Sequence, residues 1–433
     1  MKKNIMAAMA ILICWCATGC KTDKRVTDPK DYALYLQGGP AKKLDYLAGE
    51  ISFWANRLQK SPGDLTSEIK LAGLYSQRYA YSGNIGDVQL SDSLYQKANR
   101  LQGKFGSSLY RALAGNCITQ HRFKQAQLYL DTAMAMGDDK RLSIQQQFDV
   151  ALELGNRAYA KTLLHQLGNE NEPAYLLRSA KYKDHVLGDL DGAIQDMEKA
   201  LAKIEAEQNE AMICWAKANL GDMYSHANQF KKAYECYTAV LQKDKQYYHA
   251  LKGIAWLAFS HDKDAAAAIN ILQYLQKQHP VPDYELMLAE IAAYQNDGQG
   301  EQQHAQKFLA EVRQPQYGGM YNKYIFNLLY EEPNAGQAAL QLAQTEVNNR
   351  PTAESYYLLS KAYYKNGQTD LAMQTAQQHV ENKCFEPEVL YHLGLLYQKA
   401  GNTSKGRTYL QEAAASSVEL GPVQAKQINA LLN

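Results

Sequence analysis

The feature that most constrains this sequence is a pattern with a fixed period of 34 residues near the C-terminal end. Four residues of one copy return in the next copy: Leu359, Tyr363, Gly367 and Ala372 are followed by Leu393, Tyr397, Gly401 and Gly406. Inside each copy the apolar residues lie about three or four positions apart, as on one face of an α-helix. A period of this length with helical spacing inside it predicts an array of helix-turn-helix repeats.

Equivalent positions continue upstream of this stretch. In the first helices they carry mostly large apolar residues: Leu71, Leu113, Gln147, Ala180, Leu220, Ile254, Leu288, Ile325, Leu359 and Leu393. In the second helices they carry small residues: Ser91, Ala126, Ala160, Ala193, Ala233, Ala267, Ala305, Ala338, Ala372 and Gly406. Small residues let two helices approach closely, and large side chains fill the groove between them. The pattern therefore predicts about ten helical hairpins.

Proline and glycine positions support the same division. A proline inside a helix costs about 3 kcal/mol, and seven prolines fall at predicted junctions: Pro62, Pro173, Pro280, Pro282, Pro315, Pro351 and Pro387. Pro333 falls in a turn between two helices of one repeat. Gly155, Gly188, Gly367 and Gly401 fall in the equivalent turn of their repeats, where a left-handed residue commonly ends a helix.

Two copies carry a family signature. Leu220-Gly221-x-x-Tyr224 is followed by Ala233-x-x-x-Tyr237, and Leu393-Gly394-x-x-Tyr397 is followed by a less perfect second half. This pattern resembles the tetratricopeptide repeat. The resemblance covers residues 65–416, with degenerate copies at 141–172, 174–210 and 319–350. It implies an all-α solenoid of about ten repeats, wound as a right-handed superhelix.

The array is flanked by two predicted helices. Residues 41–64 contain a helix over 42–60, with apolar residues spaced by three and four. Residues 417–433 contain a polar last helix, which suits a capping element that keeps the end of the array in solvent.

The first twenty residues form a leader. Lys2 and Lys3 precede an apolar run and a group of small residues, which is typical of a secretory signal; the run is too short to cross a bilayer. Ala17-Thr18-Gly19-Cys20 resembles the lipobox of bacterial lipoproteins, although that family usually has Leu where Ala17 stands. The resemblance implies cleavage after residue 19 and a lipid, including palmitate, on Cys20. The alternative is a plain signal peptide with an incidental cysteine.

Lipidation of Cys20 would place the chain in the bacterial cell envelope. Residues 20–40 then predict a polar tether. Lys21 stands where lipoproteins retained in the inner membrane carry Asp, so the resemblance favours the outer membrane, on either of its faces.

Composition and motifs give no indication of catalysis. The formal net charge is +1 and cations alternate with acids along the helices, so nucleic acid is not an expected partner. Four cysteines remain beyond the leader and Cys20, namely Cys117, Cys214, Cys236 and Cys384; none has metal-binding spacing, and we expect them to be unpaired. No nucleophile, metal or phosphate motif is present. We therefore predict a non-enzymatic protein without metal or cofactor.

The predicted binding surface is the concave face. In the tetratricopeptide family the first helices line this face, and the resemblance places an alternating row of aromatic and charged residues there. The predicted site comprises Tyr175, Arg178, Tyr182, Trp215, His249, Lys252, Trp256, Phe259, Tyr294, Lys323, Tyr330, Tyr357, Lys361 and Tyr364, with His185, Asp222, His226, Glu290, Asn327, Lys365 and Tyr391 at further positions of the row. The alternative for any one aromatic residue is packing between neighbouring repeats.

Two functional hypotheses follow. The first is a lipid-anchored scaffold that binds an envelope protein or peptide in the concave groove, since Tyr and Trp give large contact areas with polar tips. The second is a surface lipoprotein that captures glycans or nutrients by stacking aromatic rings on sugars.

Overall fold

The computed structural model describes residues 25–38, 42–102, 106–137 and 139–433. Over these ranges it contains α-helices, short 3-10 and π-helical turns, and no strand. Helix α1 spans Pro29–Tyr32 and α2 spans Lys42–Lys60, which coincides with the predicted helix. The predicted signal peptide (residues 1–19) and the predicted lipidation site Cys20 lie outside the described residues.

Ten helical hairpins follow α2 in chain order. They are α3 Leu65–Ser82 with α4 Ile85–Gln102, α5 Ser107–Thr119 with α6 Phe123–Met136, α7 Lys140–Glu153 with α8 Arg157–Leu167, α9 Pro173–Tyr182 with α10 Leu190–Ala206, α11 Glu210–His226 with α12 Phe230–Lys243, α13 Tyr248–Trp256 with α14 Ala265–Gln278, α15 Asp283–Tyr294 with α16 Gly298–Val312, α17 Asn322–Glu331 with α18 Gly336–Asn349, α19 Ala353–Lys365 with α20 Thr369–His379, and α21 Pro387–Lys399 with α22 Thr403–Ala415. The last helix, α23, spans Ser417–Leu432. The predicted all-α solenoid of about ten repeats is confirmed; its handedness stays a prediction.

The turn inside a hairpin has one recurring backbone conformation. In nine of the ten described hairpins a residue with positive φ follows the first helix: Gly83, His121, Gly155, Gly188, Asn228, Lys263, Asn296, Gly367 and Gly401. The exception is the α17–α18 turn, which contains Pro333. The four glycines predicted for this place are confirmed. The same conformation at His121, Asn228, Lys263 and Asn296 was not predicted, because it is uncommon for residues other than glycine.

The second helices share a register that corrects part of the prediction. Their close-contact residue lies four positions after the N-cap, where its N–H bonds to the cap carbonyl; Ala126, Ala160, Ala193, Ala233, Ala372 and Gly406 hold this place. In α14 and α18 the residues are Ala268 and Ala339, both buried, rather than the predicted Ala267 and Ala338. In α16 the equivalent residue is Glu301, one helical turn before the predicted Ala305.

Glycines on the first helices make the predicted close approach. The ring of Tyr237 lies between Gly221 and Gly253: a Cβ on either glycine would lie 2.8 or 2.5 Å from its nearest ring carbon. Gly394 lies in the same way against Leu410, with 2.7 Å from its would-be Cβ to Cγ of Leu410. A large buried side chain on one helix thus requires a glycine, which has no side chain, on the neighbouring helix.

Successive turns of the superhelix contact each other. A Cβ on Gly155 would lie 2.5 Å from the carbonyl oxygen of Pro351, and one on Gly83 would lie 2.6 Å from Cγ1 of Val281. Hydrogen bonds cross the same boundary between residues 187 to 226 positions apart, as from Asn228 to the carbonyl of Ala415. The hairpin turns of the first half therefore lie against the junctions between hairpins of the second half.

The N-terminal described segment packs on the array, so residues 25–38 are not the free tether that the sequence predicted. The carboxylate of Asp262 accepts hydrogen bonds from the backbone N–H groups of Val26 and Thr27, both at 2.9 Å. Tyr32 is 2% exposed, and the hydroxyl of Tyr234 donates to Asp31 at 3.0 Å. Residues 25–38, which were predicted to belong to a polar tether, are therefore part of the folded protein.

Helix α23 is likewise more than a capping helix. It kinks at Gly421, with φ 79°. At the kink the backbone of Gly421 lies against Trp256 of α13 and Glu290 of α15, and after the kink Ile428 is buried against α22. The last helix therefore runs along the inner, first-helix side of the array.

Among the helices of the described ranges, none combines the length and the apolar composition needed to cross a membrane.

Candidate functional site

A cavity of about 740 Å³ lies where two superhelical turns meet. One side is formed by the ends of α7 and α9 and the turns after them, together with His226. The other side is formed by residues 350–356, by the α20–α21 junction, and by Ser416 and Glu419 at the start of α23. The cavity exists because repeats that are far apart in sequence lie against each other. No single repeat contains it.

Local backbone features place the lining side chains. Helix α9 ends in a π-helical turn over Lys183–Leu187, followed by left-handed Gly188. This widened turn carries Asp184 and His185 to the cavity edge. Gly188 packs on the ring of Phe385, and a Cβ there would lie 2.7 Å from Cγ of that ring. Only glycine fits both the backbone angle and the contact.

The charged groups on one wall of the cavity are paired with acids or bases of the array. Lys323 is 2.7 Å from Glu354 and 2.6 Å from Glu388. Burial would lower the pKa of Lys323, but these two carboxylates hold it well above its usual value. Arg350 is 2.9 Å from Glu153 and 3.6 Å from Glu354. These pairs neutralise one wall of the cavity.

Two carboxylates of the cavity are not paired. Among the described residues, the side chains of Glu386 and Glu419 have no hydrogen bond and no ion pair. Burial and the nearby charge of Glu386 raise the pKa of Glu419 to about 7, against the opposing charge of His226. Burial also raises the pKa of Glu386. A carboxylate with this environment gains stability from a cation placed beside it.

An aromatic wall stands next to these acids. The rings of Tyr356 and His379 are stacked, with centroids 3.8 Å apart, and Phe385 is 41% exposed. Burial raises the pKa of the neighbouring Cys384 thiol to about 12, which makes it a poor nucleophile at neutral pH. The wall therefore offers apolar contact and not covalent chemistry.

The structure brings few residues of the predicted row to this cavity. Of the fourteen residues predicted as the site, Lys323 alone lines it, joined by His185 and His226 from the further positions. Three other basic residues of the row are paired with acids of the array: Arg178 with Asp149 at 3.0 Å, His249 with Asp222 at 2.7 Å and Lys252 with Asp283 at 3.3 Å. These charges form a ladder between successive repeats.

The aromatic residues of the row mostly pack within the protein. Phe259 is fully buried and Tyr357 is 1% exposed, so these two predicted contacts are corrected to core residues. Tyr175 and Tyr182 pack on the core of α7 and α8, and Trp256 packs on Phe259 with centroids 5.9 Å apart. At these positions the ring packs against side chains of its own or a neighbouring helix.

The remaining predicted residues divide into two groups. Lys361 lies over the ring of Tyr330, with 4.4 Å from Nζ to the ring centroid, and Tyr364 packs on the same core. Trp215 and Tyr294 are 41% and 38% exposed. Their role in binding stays a prediction.

Sequence reasoning missed Phe385, Glu386 and Glu419. All three lie at junctions, outside the repeated positions, and no periodic signal marks them. The only local hint is Pro387, which begins α21. Within the described ranges, no group of His, Cys, Asp and Glu side chains is arranged to hold a metal ion.

Comparison with known proteins supports the repeat type. Family models described as "Tetratricopeptide repeat" match residues 353–381 and 388–416. No curated protein matches the chain.

Solved structures show distant likeness. They include PilW, a widely conserved type IV pilus biogenesis factor (16% identity, 48% of this chain and 94% of that chain, TM-score 0.38), a tetratricopeptide repeat protein from Parabacteroides merdae (15%, 60% and 97%, 0.34) and yeast Tom70 (12%, 93% and 97%, 0.33). The two family-model matches show that residues 353–381 and 388–416 are tetratricopeptide repeats, and these are the ninth and tenth hairpins of the described array.

Proposed function

We propose that this protein is a lipid-anchored, non-catalytic scaffold of the bacterial cell envelope that binds a segment of a protein partner in the cavity between its superhelical turns. The repeat type supports the scaffold role, since arrays of this kind present extended surfaces to partners. The leader that ends at Cys20 supports the anchor.

The observation that carries the proposal is the cavity. Its volume of about 740 Å³ falls within the usual range of ligand sites, about 300–1,000 Å³. The inner basic residues Arg178, His249 and Lys252 are paired within the array, whereas the cavity keeps polar groups without partners beside an exposed aromatic ring. A surface of this kind is where a partner gains most from contact.

Site-specific photo-crosslinking in intact cells tests the site. A photoreactive residue at Phe385 should form an adduct with a discrete protein partner, whereas one at Leu128, which is 60% exposed on α6, should not. Ala353→Trp should block the cavity, because Ala353 lines it, and should abolish the adduct at residue 385 while the helical content is unchanged. Equal adducts from positions 385 and 128, or an adduct that persists with Ala353→Trp, would count against the cavity as the site.

Two further measurements separate the other parts of the proposal. Metabolic labelling with a fatty-acid analogue should label the wild type and not Cys20→Ser. Binding of purified protein to a glycan array, retained in Ala353→Trp, would favour the glycan hypothesis instead.

A further inference from the structure

We infer that the bound segment carries a basic side chain, lysine or arginine, whose cation is received by the carboxylates of Glu386 and Glu419. This inference rests on the proposed function and specifies the chemistry of the ligand at that cavity.

The acidic side chains around the cavity differ in whether a basic side chain lies beside them. Glu153 and Glu354 each have Arg350 within 4 Å, and Glu354 also has Lys323. Glu386 and Glu419 have no such partner among the described residues, although both line the same space. Both side chains are half-buried. A carboxylate withdrawn from water without a counter-charge is costly, and a cation from outside removes that cost.

Several charged groups face these two acids and act on their pKa values. Glu419 is faced by Glu386 from the junction before α21, by Glu388 on α21, by Asp184 from the π-helical turn and by His226 at the end of α11. The carboxylates raise the pKa of Glu419 and His226 lowers it, but burial is the largest effect.

Glu386 has a comparable setting. It is faced by Lys323 on α17 and by His185, besides Glu388 and His226. Lys323 is already held by Glu354 and Glu388. Arg157 and Lys383, which also line the cavity, donate to the backbone carbonyls of Lys383 and Gln378 and form no ion pair among the described residues. Within the described ranges, Glu386 and Glu419 therefore have no cation of their own.

The aromatic wall of the cavity indicates the shape of the ligand. Tyr356 and His379 form a stacked apolar surface, and the half-exposed ring of Phe385 lies beside Glu386 in the chain. A lysine or arginine side chain combines an apolar stem with a charged end, and the guanidinium group also stacks on aromatic faces. A bare metal ion would not use this wall.

The inference predicts a pH dependence. A bound cation favours the ionised form of Glu419, whose pKa is raised to about 7 in the free protein. Binding of a basic peptide should therefore be coupled to proton release near neutral pH. Affinity should be higher at pH 8 than at pH 6, because Glu419 is ionised to a larger extent at pH 8.

The experiment is a titration of the full-length, folded protein with short peptides followed by NMR. The probes are acetyl-Gly-Lys-Tyr-Gly-amide and its arginine, glutamine and glutamate counterparts. The lysine and arginine peptides should bind at least about tenfold more tightly than the glutamine peptide, as expected for a charge-assisted contact, and the glutamate peptide should bind least.

Variants test the two carboxylates directly. Glu386→Gln with Glu419→Gln should remove the preference for the basic peptides and the difference between pH 6 and pH 8. Glu412→Gln, an exposed site on α22, should keep both. Equal binding of the lysine and glutamine peptides, no saturable binding of either basic peptide, or an unchanged preference in the double variant would overturn the inference.

The two proposals can fail separately. If the crosslink at residue 385 persists in the double variant, a partner occupies the cavity but its charge is not what these acids recognise, and the inference fails alone. If the wild type gives no adduct at residue 385, the proposed function itself fails.

Discussion

The carboxylate of Asp262 accepts hydrogen bonds from the backbone N–H and the hydroxyl of Thr27, at 2.9 and 2.6 Å, although the two residues are 235 positions apart. The side chain of Asp262 is fully buried, and His261 also contacts it at 2.7 Å. One acidic group thus joins the N-terminal segment to the end of the sixth first helix.

Asp262→Asn should release the segment that contains Val26 and Thr27. The amide N–H₂ of the asparagine would face one of the N–H donors of the segment. We therefore expect the free energy of unfolding to fall by about 1–3 kcal/mol. Hydrogen exchange at the amides of Val26 and Thr27 should become fast, together with a lower thermal midpoint. Glu412→Gln provides the control for loss of a surface charge, and unchanged protection of the two amides would contradict the prediction.

The same contact should depend on pH in a defined direction. Burial would raise the pKa of Asp262, but hydrogen bonds from His261, Thr27 and Val26 outweigh it and lower the pKa to about 2. Because this is below the unfolded value of about 3.9, the stabilisation is present above pH 4 and is lost as pH falls toward 2. The stability difference between wild type and Asp262→Asn should shrink over that interval; a constant difference would disprove the linkage.

Gly421→Ala should detach the first part of α23. The backbone at Gly421 has φ 79°, and an added Cβ would overlap the carboxylate of Glu290 and approach Trp256. We expect a cost of about 2–4 kcal/mol from the left-handed conformation and the overlap together. Gly401→Ala is a matched control, because Gly401 has φ 84° with no atom within 4 Å of the added Cβ; it should cost about 1 kcal/mol. Chemical denaturation and limited proteolysis of α23 measure both, and equal costs would refute the contact.

Ala268→Leu should destabilise the sixth hairpin by about 1–3 kcal/mol through overpacking, since Ala268 is fully buried. Ala266→Leu, two positions earlier and exposed, should change stability by less than about 0.5 kcal/mol. Thermal melts of the two variants test the register of α14. A larger effect at residue 266 would show that the helix is rotated from the position described.

Arg350→Gln should loosen the contact between superhelical turns. Arg350 joins Glu153, 197 positions away, at 2.9 Å and lies over the ring of Phe123. Losing this partly buried charge contact should cost about 1–3 kcal/mol and increase the radius of gyration in small-angle scattering. Arg407→Gln, at an exposed site of α22, should change neither. A radius unaffected by Arg350→Gln would mean that other contacts hold the turns together.

Helices, turns and much of the core could be predicted because they are encoded by neighbouring residues. The bounds of α2 and the left-handed glycines of four turns follow from periodicity and backbone preference. The register of α14 could not be read in this way, because residues 265–268 are four consecutive alanines and only the N-cap Asp264 sets which of them is buried.

The cavity could not be predicted, for a different reason. A repeat pattern specifies how each hairpin packs on the next, and it contains no signal for contacts such as Arg350 with Glu153. The packing of Val26 on Asp262 is equally remote in sequence. Phe385 and Glu419 line the cavity only because late repeats of the array lie against early ones.

The docking of the N-terminal segment has a geometric consequence for an anchored molecule. Only residues 21–24 separate Cys20 from Arg25, and an extended chain covers at most about 3.6 Å per residue. A lipid on Cys20 would therefore hold Arg25 within roughly 18 Å of the bilayer surface, and the carboxylate of Asp262 accepts hydrogen bonds from the two residues that follow Arg25. The flank of the array that holds Val26 and Asp262 would then lie near the lipid headgroups.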